Sequence, residues 1–156
     1  MLRIRIVAIG EPKDRWVAEA CEHYIKLIGR WAKIDVKSIA SPKGAYSLPP
    51  AQIVAREAER LSKELGKGKT IALADNGKRL DSHGFADAIR SLEMMSSGAV
   101  TFVIGGPYGL AQPLLDRADS VYSLSPLTFS HQLARVVLLE QLYRAYTIIH
   151  NTAYHK

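Results

Sequence analysis

Thr101-Phe102-Val103-Ile104-Gly105-Gly106-Pro107-Tyr108-Gly109 decides how this chain is read. Thr101–Ile104 continues an apolar run from Ala99 and Val100, which fits a strand covered on both faces, as in a parallel sheet flanked by helices. The run stops in glycines, where bare backbone can turn sharply and come close to a ligand. The spacing is not Gly-x-Gly-x-x-Gly, so a nicotinamide or flavin cofactor is not indicated.

Working outward, strand and helix patterns alternate. Leu2–Ile9 alternates and then turns fully apolar, as a buried strand does. Asp14 is placed to cap a helix running to about Ile28, where Gly29 ends it. Ile34–Ile39 is a second strand, and Ser41–Pro50, with three prolines, is a loop. Ala51–Leu65 is a charged amphipathic helix, Thr70–Ala74 a third strand, and Asp75-Asn76-Gly77-Lys78 its expected turn. A helix from Asp81 or Ser82 to about Met95 precedes the fourth strand, Ala99–Ile104. Leu110–Arg117 is a short helix, Ser120–Leu124 a fifth strand and His131–Ile149 the last helix. This alternation predicts one α/β domain over residues 1–156 with a parallel sheet. Ligands of such sheets lie beyond the carboxyl ends of strands, which selects the turns after Leu73, Ile104 and Leu124.

Composition narrows the chemistry. The formal net charge is +6. Residues 1–80 hold 16 Lys/Arg and 9 Asp/Glu, a local +7, whereas residues 81–156 hold 5 and 6, a local −1. A positive first half suits a polyanionic partner, because lysine and arginine displace counterions from phosphates. Cys21 is the only cysteine, which excludes an internal disulfide and a four-cysteine zinc site; it reads as a small core residue. No pair of the five histidines has helical His-x-x-x-His spacing, so no metal is expected. Gly66-Lys67-Gly68-Lys69-Thr70 is not a phosphate loop: Lys63 stands where that motif needs glycine, and the segment leads into a strand. No Gly-x-Ser-x-Gly elbow occurs. The N-terminal apolar run is too short for a signal peptide or membrane span, so a cytoplasmic location is expected.

The last helix is apolar on nearly every face, from Leu133 through Val136, Leu139, Leu142 and Tyr146 to Ile149. One face of a sheet cannot cover all of it, which predicts a dimer. Glu140 and Arg144 stand at i and i+4 and are expected to pair. A polar, aromatic tail follows, Asn151-Thr152-Ala153-Tyr154-His155-Lys156. The two strand-end loops and this tail together suggest a ligand site with its reacting groups alongside.

Five segments occur in one order: Ile104–Gly109, Ser123-Leu124-Ser125-Pro126-Leu127-Thr128, His131-Gln132-Leu133-Ala134-Arg135, Leu142-Tyr143-Arg144-Ala145 and Tyr154-His155. With them the chain resembles, over essentially its whole length, the ribosomal RNA large subunit methyltransferase H family of the SPOUT superfamily. The resemblance implies an α/β fold with a C-terminal trefoil knot, a homodimer, and transfer of a methyl group from S-adenosylmethionine to N3 of a pseudouridine in 23S rRNA on the assembled 70S ribosome. It implies that Leu73, Gly105 and the loop Leu124, Ser125, Pro126, Leu127, Thr128 and Phe129 hold the cofactor. It implies that Arg144 and Tyr154 bind and orient the base, and that His155 accepts a proton or contacts phosphate. Ala153 departs from the family, whose members often carry proline before the Tyr-His pair. Arg3, Arg5, Lys26, Arg30, Lys33 and Lys37 would meet rRNA phosphates. The alternatives are a SPOUT enzyme that methylates tRNA and a ribosome-binding protein without activity.

Overall fold

The computed structural model describes residues 1–95 and 97–156. Among these, strands β1 (Leu2–Ile9), β2 (Ala32–Ile39), β3 (Lys69–Arg79), β4 (Ala99–Ile104) and β5 (Ser120–Ser123) form one sheet, ordered β2-β1-β4-β3-β5. Every pairing is parallel, as the apolar runs predicted. Helices α1 (Arg15–Ile28), α3 (Ser82–Glu93) and α5 (His131–Ile149) enclose one core with Leu2, Ile4, Ile6, Ala8, Val100, Phe102 and Ile104. Helices α2 (Pro50–Ser62) and α4 (Gln112–Arg117) cover the other face, where Val7, Ile9, Ala72 and Val103 pack with Leu61 and Leu114. Alternate residues of β1 and β4 thus feed opposite cores, which is why both strands read as continuous apolar runs.

Element ends differ from the sequence reading for local reasons. β2 starts at Ala32 because that buried alanine pairs with Leu2. Asp14 occupies the N-cap of α1, but its side chain makes no capping bond. Asp81 does cap α3, accepting from the Gly84 amide at 2.7 Å, and Ser130 caps α5, accepting from Leu133 at 3.1 Å. The largest difference is at Asp75–Lys78. The chain does not reverse there: β3 bulges between Leu73 and Lys78 and then rejoins β5 at Lys78–Tyr122 and Arg79–Ser123.

The α5 helix lies between α1 and α3 over β1 and β4. It buries Leu138, Leu139, Leu142, Ala145 and Tyr146, while Leu133 stays 36% exposed and Val136, Val137, Ile148 and Ile149 are only partly covered. Arg135, fully buried, ties the helix to the ends of β1 and β2. Its guanidinium donates to Gly10 O at 2.6 Å, to Ile9 O at 3.4 Å and to Ser38 Oγ at 3.3 Å. No helix among the described residues is long and apolar enough to cross a membrane, and no group of three or more His, Cys, Asp and Glu could hold a metal ion.

Asp119 locks the entry to β5. It accepts from Lys69 Nζ at 2.6 Å and from the Thr70 amide at 2.8 Å. The Lys69 bond first, then the Thr70 amide, hold its carboxyl below the usual range. A depressed folded value stabilises the fold fully above the unfolded value of about 4, and that contribution fades as pH falls through the folded value. Asp119→Ala is therefore expected to cost about 1 kcal/mol at pH 7, since the pair is partly solvated, and less at pH 3. Urea unfolding at the two pH values checks this; an equal cost at both would rule the titration out.

Candidate active site

Three strand ends meet where the parallel-sheet rule placed them. A cavity of about 870 Å³ opens beside Leu73, where the β3 bulge begins, Ile104, which ends β4, and Leu124, which follows β5. Gly105–Gly109 forms one wall, and Leu124, Ser125, Leu127, Thr128 and Phe129 form another. Of the residues expected to hold a cofactor, Leu73, Gly105, Leu124, Ser125, Leu127, Thr128 and Phe129 line this cavity, and Pro126 does not. Gln112, His131 and Ala134 line it too, from helix starts that the strand-end rule does not reach.

Short bonds shape both walls. Gly109 donates its amide to Gly106 O at 3.0 Å, and its φ of +80° needs glycine. A Cβ on Gly105 would stand 2.7 Å from Gly109 O, so the loop closes too tightly for a side chain there. In the other wall, Ser123 Oγ donates to Ser125 O at 2.9 Å, and the Leu127 amide donates to Ser125 Oγ at 2.9 Å. Leu127 itself is 73% exposed at the rim. Burial first, then the charges of Arg135 and Lys13, hold the His131 imidazole below its ordinary value, so it is neutral near pH 7.

The tail residues form a second cluster. Glu140 Oε1 accepts from Arg144 Nη2 at 2.7 Å, which is the expected i,i+4 pair, and from Tyr154 Oη at 3.0 Å. The Arg144 guanidinium lies 4.9 Å from the Tyr154 ring centroid. Burial, reinforced by Glu140, pushes the Tyr154 phenol up to about 12. Arg144 Nη1 is 3.4 Å from His155 Nδ1, and the His155 ring meets that of His83 edge-on at 5.1 Å. A guanidinium can only donate, so in a hydrogen bond between them Nδ1 would be the acceptor. His83 and Gln141, which donates to Glu140 Oε2 at 2.6 Å, have no motif spacing and were not legible as members of this cluster.

Within one chain the two groups do not meet. Ala134 is the last residue of α5 at the cavity, and ten helical residues, about 15 Å of rise, separate it from Arg144. The expectation that the loops and the tail stand alongside one another therefore fails inside a single subunit.

A cavity walled by bare backbone at the carboxyl edge of a doubly wound parallel sheet is where α/β proteins commonly hold mid-sized organic ligands. The chain belongs to the SPOUT methyltransferases: residues 2–155 match the family described as "Predicted SPOUT methyltransferase". The protein named ribosomal RNA large subunit methyltransferase H of Desulforamulus reducens is 38% identical over 160 residues, covering all of both chains. Its namesake in Acetivibrio thermocellus is 38% identical over 159 residues, covering 99% of this chain and all of its own. A probable methyltransferase from Bordetella pertussis Tohama I shares the fold with a TM-score of 0.57 at 15% identity, covering 92% of this chain and 96% of its own.

Proposed function

We propose that this protein is an S-adenosylmethionine-dependent methyltransferase of 23S rRNA that methylates N3 of a pseudouridine on the assembled 70S ribosome. The observation that carries this reading is 38% identity over the full length to a protein named as a large-subunit rRNA methyltransferase, joined to a cavity at the strand ends. The cavity fits the donor: bare backbone at Gly105 and Gly106 permits close approach, Leu73, Leu124 and Leu127 offer an apolar wall for adenine, and Ser125, Thr128 and Gln112 are polar. S-adenosylmethionine bound there supplies an electrophilic methyl group without a metal.

The acceptor is an imide nitrogen, which must lose its proton before or during attack. Arg144 is the group to stabilise the resulting anion, held in place by Glu140. His155, beside Arg144, is the group to accept that proton or to contact a phosphate. Tyr154, protonated at neutral pH, offers its ring to the base. Since one chain keeps these groups away from its own cavity, they serve the cavity of a second subunit. Trp16 at the start of α1, Leu127 before α5 and Leu133 in its first turn are exposed apolar side chains that such a homodimer would cover.

The basic residues divide between two sides of the sheet. Arg3, Arg5, Lys33 and Lys37 are exposed on neighbouring positions of β1 and β2, with Arg5 held 3.1 Å from Asp35. Lys43, Arg56 and Lys63 continue the positive surface around a groove beside α2. Lys26 and Arg30 belong instead to the end of α1, where Arg30 lies over Trp31 at 4.7 Å. The β1–β2 side is the better fit to rRNA phosphates. Lys33→Glu with Lys37→Glu is expected to weaken 70S binding about 10-fold or more at low salt, and to leave donor affinity unchanged. Equal loss of both would indicate misfolding.

The deciding experiment incubates the pure protein with labelled S-adenosylmethionine and 70S ribosomes, free 50S subunits or tRNA, all lacking this modification, and maps the label. Label at N3 of a 23S pseudouridine in 70S particles is expected. Label on tRNA alone would replace this substrate. Donor binding without any transfer would leave a different acceptor, and no donor binding would favour an inactive ribosome-binding protein.

A further inference from the structure

The α2 helix buries Ile53, Glu57 and Leu61, spaced as one stripe four residues apart. The middle residue of an apolar stripe is thus a carboxylate, only 2% exposed. Taking a carboxylate out of water without a cation is costly, and such a group is kept for a reason other than stability. Arg60, one turn on, directs its hydrogen bonds elsewhere: its Nη1 donates to Ala40 O at 2.7 Å and Ser41 O at 3.4 Å. Ser41 Oγ approaches Glu57 Oε1 at 3.4 Å, and Oε2 has no hydrogen-bond partner among the described residues. What faces this carboxylate is the backbone of Gly106. A Cβ on Gly106 would lie 2.9 Å from Oε1 and 3.0 Å from Oε2.

We infer that Glu57 is a positioning residue of the donor site: its buried carboxylate holds Gly106 from behind and so sets the shape of the Gly105–Gly109 wall. This rests on the reading of the cavity as the methyl-donor site. Geometry supports it from both sides. Glu57 leaves no room for a side chain at 106, and the Gly106 backbone in turn closes over the Glu57 carboxylate. Burial raises its pKa, with the Ser41 hydroxyl, the Gly106 amide and Arg60 acting in the opposite direction. Ser41 and Arg60 also line the basic groove, so one row of contacts runs from that groove to the loop.

The test uses Glu57→Leu and Glu57→Gln in the full chain. Leucine completes the apolar stripe, so its thermal midpoint is expected to equal or exceed that of the unchanged protein. Its amide hydrogen exchange at Gly106–Gly109, measured without ligand, is expected to rise about 10-fold or more, and its S-adenosylmethionine Kd by about the same factor. Glutamine retains an acceptor and is expected to stay within about 3-fold on both readouts. Glu57→Leu with unchanged loop exchange would overturn the inference. So would a fall in thermal midpoint with equal losses in both variants, because that is a core defect. If the unchanged protein bound no S-adenosylmethionine, the donor reading would fall, while the exchange measurement would still decide the role of Glu57.

Discussion

Arg144→Ala is expected to lower methyl transfer to ribosomes by about 10²–10³-fold in kcat while leaving S-adenosylmethionine affinity intact. The split follows from position. Arg144 lies about 15 Å along α5 from the last cavity residue of its own chain, so its loss does not touch the donor wall. It removes the cation paired to Glu140 and stacked on Tyr154. Arg144→Lys is expected to recover little, because an ammonium cannot keep the fork to Glu140 and His155 together with the stack. The sharper measurement is complementation. Arg144→Ala subunits are mixed with Gly105→Val subunits, whose donor wall is blocked. If each site joins one subunit's cavity to the other's tail, a mixed dimer holds one intact site. Random exchange then restores about a quarter of full activity, half of the dimers being mixed and each having half its sites. Sites built within one chain would restore nothing.

The strand-end rule and the apolar runs were enough to select the three turns that the cavity lies against, because both depend on short-range pattern. Leu73, Gly105 and Leu124–Phe129 fell on three turns that composition already marked as unusual. Strand order was not legible, since nothing local says that β4 pairs with β1 and β3. The tail was legible as chemistry but not as place: counting the rise of α5 separates Arg144 from His131, yet a list of reactive residues does not. Glu57 was hidden for the opposite reason. In a helix with Arg56, Glu59 and Arg60 beside it, one more charge reads as a solvated face. Only its spacing between Ile53 and Leu61 marks it as inward, and periodicity is usually read from apolar residues alone.

Gly77→Ala is expected to be among the most damaging single changes, costing about 3 kcal/mol, although its sequence context reads as an ordinary turn. An asparagine-glycine pair after a strand normally reverses the chain, and a turn tolerates substitution of an exposed residue. Here β3 continues past β5 instead, and a Cβ on Gly77 would stand 2.6 Å from the carbonyl carbon of Tyr122 and 3.0 Å from the Ser123 nitrogen. Both contacts are backbone, so no side chain can swing aside; either the β5 register or the β3 bulge must move. That bulge carries Ala74, Asp75 and Asn76, which line the cavity. Stability and donor affinity should therefore fall together, the opposite of the separation expected for Glu57→Leu. Asn76→Ala, at an exposed neighbour, is the control and should change stability by no more than about 0.5 kcal/mol. Urea midpoints for the two variants settle the matter. If Gly77→Ala were as stable as its control, β3 would not pass against β5 at this distance, and the strand ends would need another arrangement to enclose the donor.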